Sequence, residues 1–263
     1  MPLLQQASGL LEAVRGEMTP KFLATRSAAG APNVVPVVSI LPAEDQPDIL
    51  FFGNFLLRKS IANLKEDPRA GILVITQDLR GWALTGDLVE FQRTGPYVER
   101  QMGSSLLRYN AYTGIRDAGV IRVRSVERAF HIPRLQVARD YLLARLAALR
   151  VPVPGDAAVA MPLPAQREFA RMVAVKVLAW IAEDGYPAVA PALSLQPAGA
   201  HALVGRRPSP SPPAGALAAA NVLTFEAISY QAKGHWLAAG GAGVLAVEEV
   251  YAGGPPIPGG RVA

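Results

Sequence analysis

One stretch of this 263-residue chain gathers groups that could hold an anion: Phe51-Phe-Gly-Asn-Phe-Leu-Leu-Arg58-Lys59-Ser60-Ile-Ala-Asn63-Leu-Lys-Glu-Asp-Pro-Arg69. A strand ends at Gly53, a short loop follows, and a helix begins near Arg58 and closes at Asp67-Pro68. The first turn of a helix has unpaired N–H groups and about half a unit of positive charge. Arg58 and Lys59 are unfavourable there unless an anion offsets them, and Ser60 adds a hydroxyl donor. N–H groups, guanidinium, ammonium and hydroxyl at one helix start suit a phosphate. A solvated Arg-Lys pair at an ordinary helix start is the competing reading. The residues alone leave both open.

Other reactive types are sparse. The chain has no cysteine, which removes disulfides, thiolate metal sites and cysteine nucleophiles. His131, His201 and His235 lie far apart without metal-ligand spacing, so no metal site is expected. Gly103-Ser-Ser is not a nucleophile elbow. Gly240-Gly-Ala-Gly243 sits between two strand-like runs and reads as a tight turn rather than a nucleotide loop. The formal charge of +5 and pI near 9.7 raise the question of nucleic acid. The basic residues are scattered among acids, lysines occur only at 21, 59, 65, 176 and 233, and aromatics make up 7%, so no nucleic-acid stripe is visible. A composition 51% hydrophobic and 18% charged supports a buried core. No apolar run reaches the roughly eighteen residues of a membrane span, and the N-terminus lacks a secretory pattern, so the expected compartment is the cytoplasm.

The elements that must position the anion-binding stretch are mainly strands. Apolar residues at Leu3, Leu4, Ala7, Leu10, Leu11 and Val14 predict a first helix. Phe22–Arg26, a Gly-containing turn and Asn33–Ile40 predict a hairpin, and Asp48–Gly53 a third strand. Strands over Ala70–Thr76 and Trp82–Arg93, a helix around Tyr97–Leu107 and a strand over Val120–Phe130 follow. Arg134–Leu149 predicts an amphipathic helix with Leu135, Ala138, Leu142, Leu146 and Leu149 on one face. Val151–Gly155 through Pro162-Leu-Pro164 predicts an irregular Pro-rich connection. Gly205–Pro213 predicts a second such loop, and Gly253–Gly260 a loose tail.

The chain also repeats itself. Phe22–Ile40 laid over Val177–Leu195 without gaps matches at seven of nineteen positions: Leu23/Leu178, Ala24/Ala179, Gly30/Gly185, Pro32/Pro187, Val34/Val189, Pro36/Pro191 and Ser39/Ser194. Ala118-Gly-Val-Ile-Arg-Val matches Ala242-Gly-Val-Leu-Ala-Val in the same order. The offset falls from 155 to 124, so the second repeat has lost about 31 residues around the Tyr97–Leu107 helix.

The ordered set (Leu-Ala-Thr strand, Gly turn, Pro-Asn-Val-Val-Pro-Val strand, Gly-Asn loop, Arg-Lys-Ser-x-x-Asn-Leu-x-x-Asp-Pro-Arg helix) resembles the pyridoxamine 5′-phosphate oxidase-like, FMN-binding split β-barrel family. The resemblance covers about residues 3–131 and, more weakly, 165–251. It implies a mainly β fold with flanking helices (α+β): two split β-barrels in one chain, a fused pseudo-dimer. The implied division is 1–131 for the first barrel, 132–171 for a helical and Pro-rich connector, and 172–263 for a degenerate second barrel. By the resemblance, Arg58, Lys59 and Ser60 take phosphate-binding positions, and Gly53 and Asn54 the loop beside the ribityl chain. Val37, Val38 and Ser39 take the strand along the flavin ring. Trp82 is either a ring-edge contact or a barrel-core aromatic. The prolines after Gly205 prevent a second phosphate helix, so one FMN per chain is expected, with the second repeat as its far wall. Gln231 and Lys233 lie on that wall's strand; a surface lysine is the favoured reading of Lys233. Arg206 and Arg207 read as a solvated loop.

The implied activity is that of a flavin-dependent oxidoreductase on an unidentified small molecule, with NAD(P)H as a candidate donor. The alternatives are a non-catalytic binder of flavin, deazaflavin F420 or haem, and a cofactor-free interaction module. The expected partners include no nucleic acid and no membrane, and the expected assembly is a monomeric pseudo-dimer or a homodimer. The family's C-terminal substrate-binding segment has no counterpart in the Gly/Pro-rich tail.

Overall fold

A computed structural model describes residues 1–104, 114–127, 129–150, 159–254 and 259–263. In the first half, α1 (Leu3–Gln6) and α2 (Leu10–Arg15) precede β1 (Lys21–Arg26), β2 (Pro32–Pro36), β3 (Leu41–Pro42) and β4 (Ile49–Gly53). Then follow α3 (Arg58–Glu66), β5 (Arg69–Ile75), β6 (Arg80–Gln92), α4 (Pro96–Met102), β7 (Ala118–Val126) and β8 (Phe130–His131). The second half holds α5 (Arg134–Ala148), α6 (Leu163–Phe169), β9 (Val175–Ile181), β10 (Pro187–Pro191), β11 (Gln196–Pro197) and β12 (Ala202–Arg206). It ends with β13 (Leu217–Leu223), β14 (Ser229–Ala239), β15 (Ala242–Ala252) and β16 (Gly260–Arg261).

Both halves build the same curled antiparallel sheet. The first runs β2-β1-β5-β6-β7-β4-β3 and the second β10-β9-β13-β14-β15-β12-β11, one strand order with two sets of residues. Two split β-barrels in one chain result. The aligned turn glycines, Gly30 and Gly185, both take left-handed backbone (φ 79° and 83°) where a side chain is strained. The aligned serines do the same work: Ser39 Oγ accepts from Gly53 N at 3.2 Å, and Ser194 Oγ from Arg206 N at 2.9 Å. β14 and β15 meet through a two-residue turn at Gly240-Gly241, where β6 and β7 are separated by the segment carrying α4. The deletion thus falls where the sequence places it.

Several boundaries differ from the sequence reading. The expected first helix is two helices, because Gly9 (φ 79°) breaks it. The second strand ends at Pro36, so Val37, Val38 and Ser39 lie in a turn rather than on a strand. Lys21, from β1, donates to the Val38 carbonyl at 2.9 Å and helps fix that turn. Leu163 and Pro164 start a helix instead of extending the irregular connector, since proline suits a first helical turn. The Tyr97–Leu107 helix ends at Met102; its expected remainder and residues 151–155 of the connector lie outside the described residues.

Each barrel has its own apolar core, one around Leu23, Phe52, Ile72 and Trp82, the other around Leu178, Leu203, Val222 and Trp236. A third cluster joins them: Phe22, Ala24, Val34 and Leu73 from the first barrel with Val177, Ala179, Val189 and Ala219 from the second. β2 packs on β13, and β10 on β5, as a pseudo-twofold axis exchanging the repeats requires. A polar tie runs alongside: Tyr186 donates to Asp87 at 2.9 Å, and Arg26 to the Gly185 carbonyl at 3.4 Å.

The backbones approach closely across this joint at Gly71, where an added Cβ would press into the Pro187 carbonyl. Backbone cannot swing aside as a side chain can. Gly71→Val is expected to cost about 1–3 kcal/mol or more by overpacking. Its melting temperature against wild type checks this, and an unchanged value would mean that the barrels do not meet there.

Candidate functional site

The helix α3 forms because Ile61 and Leu64 face the first core, with Ser60 and Asn63 buried beside them. Asn63 Nδ2 donates to Thr25 Oγ1 at 3.0 Å, so Asn63 packs locally. At the other end, Leu57 supplies no side-chain cap and the first turn holds no acid. The start of α3 therefore keeps its positive end uncompensated by side chains of its own.

The second barrel brings a facing wall to this helix start. Lys59 Nζ donates to Tyr251 Oη at 2.9 Å and lies 4.1 Å from the Tyr251 ring centroid. Lys233 Nζ, from β14, lies 5.5 Å from the centroid of the same ring, so both ammonium groups gather at Tyr251. Tyr251 in turn donates to Glu249 at 2.8 Å, and Arg261 approaches Glu249 at 3.6 Å. Lys233 is 7% exposed, so the surface reading of this residue is wrong. Burial, then the neighbouring Lys59 charge, pushes its pKa down to about 7, with Glu249 opposing. Two ammonium groups this close are stable around an anion or with one of them neutral. Beside them, Gln231 and Asn221 reach across the joint, both donating to the Val34 carbonyl.

Of the sequence-nominated residues, Arg58 is exposed at the start of α3 and Lys59 half-buried beside it. Ser60 is buried, and its hydroxyl accepts from Asn33 Nδ2 at 3.1 Å, a bond inside the first barrel. Asn54 and Gly53 are buried in the preceding loop; Asn54 N donates to the Asp117 carbonyl at 2.9 Å. The Ser39 carbonyl accepts from Gln101 at 2.7 Å. Trp82 is 1% exposed inside the first core, next to Gly9, and takes the core reading. Lys59 alone of the nine is in contact with Tyr251 across the joint. Tyr251 and Glu249 were missed by sequence reasoning, since no local signal marks a strand residue nearly two hundred positions away.

The pseudo-equivalent spot on the other side of the dyad differs. Thr85 and Ser125 stand where Lys233 and Glu249 stand in β14 and β15, with hydroxyls 2.7 Å apart. Facing them, residues 207–216 form no helix. Only one of the two pseudo-equivalent spots carries the cationic set. Among the described residues no group of His, Asp or Glu could hold a metal ion.

Residues 11–132 match the family model described as pyridoxamine 5′-phosphate oxidase. No curated protein matches the chain. Among solved structures, the chain is similar to an FMN-binding protein from Syntrophomonas wolfei (17% identity, 50% of this chain and 88% of that one, TM-score 0.41). It is also similar to an F420 reductase (20% identity, 44% and 94%, TM-score 0.35). A third is HutZ, the haem storage protein of Vibrio cholerae (14% identity, 50% and 95%, TM-score 0.36). About half of this chain thus spans nearly all of each.

Proposed function

We propose that this tandem protein of the pyridoxamine 5′-phosphate oxidase-like split-barrel family binds one FMN per chain and acts as an oxidoreductase on a small molecule. The observation that carries this reading is the convergence of Lys59, Lys233 and the uncapped start of α3 across the joint between barrels. That donor set fits a phosphate group: two cations, the Lys59 and Ser60 N–H groups at the helix start (Arg58 N–H donates to the Leu56 carbonyl), and a carboxylate, Glu249, that accepts from Tyr251. Lys59 and Lys233 would hold the phosphate from opposite sides, and Arg58 would add charge at the rim. Anchoring by both barrels orients the ligand against a rigid joint, which favours reaction over free diffusion. The flavin supplies the hydride or electron chemistry, with NAD(P)H as the proposed donor. A deazaflavin carries a phosphate as well and would use the same anchor.

The test is a fluorescence titration of the purified chain with FMN and, separately, riboflavin, which lacks the phosphate. FMN is expected to bind one per chain and riboflavin far more weakly. Arg58→Ala with Lys59→Ala is expected to weaken FMN binding by a few kcal/mol, given about 1.5–3 for each charge-assisted bond. Equal affinity for both flavins would place the phosphate elsewhere, and no binding of either would sink the reading. Bleaching of the bound flavin by NAD(P)H then separates an enzyme from a carrier.

A further inference from the structure

The helix α5 turns its apolar face the wrong way for a core helix. Its buried residue is Ala144, against the second barrel. At about 100° per residue, Leu135, Leu142, Leu146 and Leu149 lie within about 40° of the opposite direction. The structure leaves them 82%, 60%, 53% and 82% exposed. They span about 21 Å along the axis and share that side with Arg139, which lies about 40° from the same direction between Leu135 and Leu142. Arg139 and Arg150 lie along one flank, and Arg134 and Arg145 along the other, all exposed. Asp140 is the helix's one acid, and Arg139 and Arg206 already contact it at 3.0 and 3.9 Å. Arg207, next in the chain, is exposed as well.

This charge arrangement selects the occupant. A second copy packed antiparallel about Leu142 is disfavoured, because it sets Arg139 against Arg145 and Arg134 against Arg150, like charges on both flanks. Protein hot spots are enriched in Trp, Tyr and Arg and depleted in Leu; here the apolar side chains are leucines, and Tyr141 is turned inward to donate to the Ala170 carbonyl. A lipid surface needs no matching groove. It takes a leucine ridge into the headgroup boundary while flanking arginines meet lipid phosphates. We propose that α5 attaches the protein peripherally to an anionic bilayer, leucines inward and arginines at headgroup level. This is surface attachment, not spanning; among the described residues no helix is long and apolar enough to cross a membrane.

The experiment is flotation of the full chain with vesicles of phosphatidylcholine alone, and of phosphatidylcholine with phosphatidylglycerol in equal parts. Binding is expected to the anionic vesicles only, and to fall at least about tenfold when salt rises from about 0.05 to 0.5 M. Leu142→Glu with Leu146→Glu is expected to abolish flotation without moving the melting curve, since both side chains face solvent. Arg139→Gln with Arg145→Gln keeps the ridge and should weaken binding about tenfold or more. Equal binding to both vesicle types, binding to neither, or binding untouched by the leucine variant would overturn the proposal. Saturable binding of a Glu/Leu amphipathic peptide, with no flotation, would give the ridge to a protein partner instead.

Discussion

Between pH 7 and pH 9, FMN binding to the wild-type chain weakens by about tenfold per pH unit, and in Lys233→Met it stays flat. Lys233 is pushed down to about 7 because it is buried against Lys59. Above pH 7 the free protein therefore holds it neutral. A phosphate between the two lysines favours the charged form, so the ligand raises the Lys233 pKa. Binding above pH 7 must then take a proton from solution, and its affinity falls as protons become scarce. Below about pH 6 the phosphate itself gains a proton, and the advantage shrinks from that side. The other groups at the site are Lys59, Tyr251, Glu249 and Arg261. Lys233 is the group at the site that burial and the Lys59 charge push to about 7, so the slope is ascribed to it. Calorimetry in buffers of different ionisation enthalpy counts the protons: uptake approaches one at pH 8.5 in wild type and is absent in Lys233→Met. That variant also binds ten- to about a hundredfold more weakly at pH 6.5, the worth of one charge-assisted bond. FMN binding that ignores pH in the wild type would rule out the coupled lysine pair while leaving flavin binding itself intact.

What could be read from residues alone follows from how local each signal is. The Arg58-Lys59-Ser60 helix start carries its meaning within a few residues, and α3 begins where those residues place it. The duplication is legible because backbone demands are conserved in kind: both turn glycines are left-handed, and both Ser39 and Ser194 accept from the adjacent strand. The far wall was not legible. Lys233 and Tyr251 meet Lys59 only through the packing of β2 on β13 and β10 on β5, which no periodicity encodes. The leucine face of α5 shows the same limit from the other side. Helical spacing identifies which residues share a face, and the barrel decides whether that face is covered. The motif gives Ser60 as a ligand donor, and its hydroxyl oxygen also accepts from Asn33 of the neighbouring strand, a long-range contact that the motif does not carry. Trp82 lies in the first core against Gly9 at the break in the N-terminal helix, a packing that its position on a strand does not encode.

The duplication also placed one lysine at the start of each barrel's first strand, and the two now behave differently. Lys21 donates to the Gly16 and Val38 carbonyls, both at 2.9 Å. Lys176, fully buried at the matching position, has no hydrogen-bond partner for Nζ among the described residues and sits 5.5 Å from the Tyr141 ring. Burial pushes Lys176 down to about 7. An unfolded lysine holds its proton up to about pH 10.4. Between those values the unfolded state binds more protons than the folded one, so stability rises with pH from about 7 to about 10. Below about 7 both states are charged and the full cost of the buried ammonium persists. Lys176→Met fills the same space without the charge. It is expected to stabilise the protein at pH 7 by an amount on the order of a few kcal/mol, with the gain shrinking as pH rises from about 7 and gone by about pH 10. At about 2–4 °C per kcal/mol, thermal melts across pH 6 to 10 resolve it. The same change at Lys21 strands the Val38 carbonyl and should instead cost about 1–3 kcal/mol. A Lys176→Met melt lower than wild type at pH 7, or a difference that does not narrow as pH rises, would mean that Lys176 is not the uncompensated charge this packing makes it.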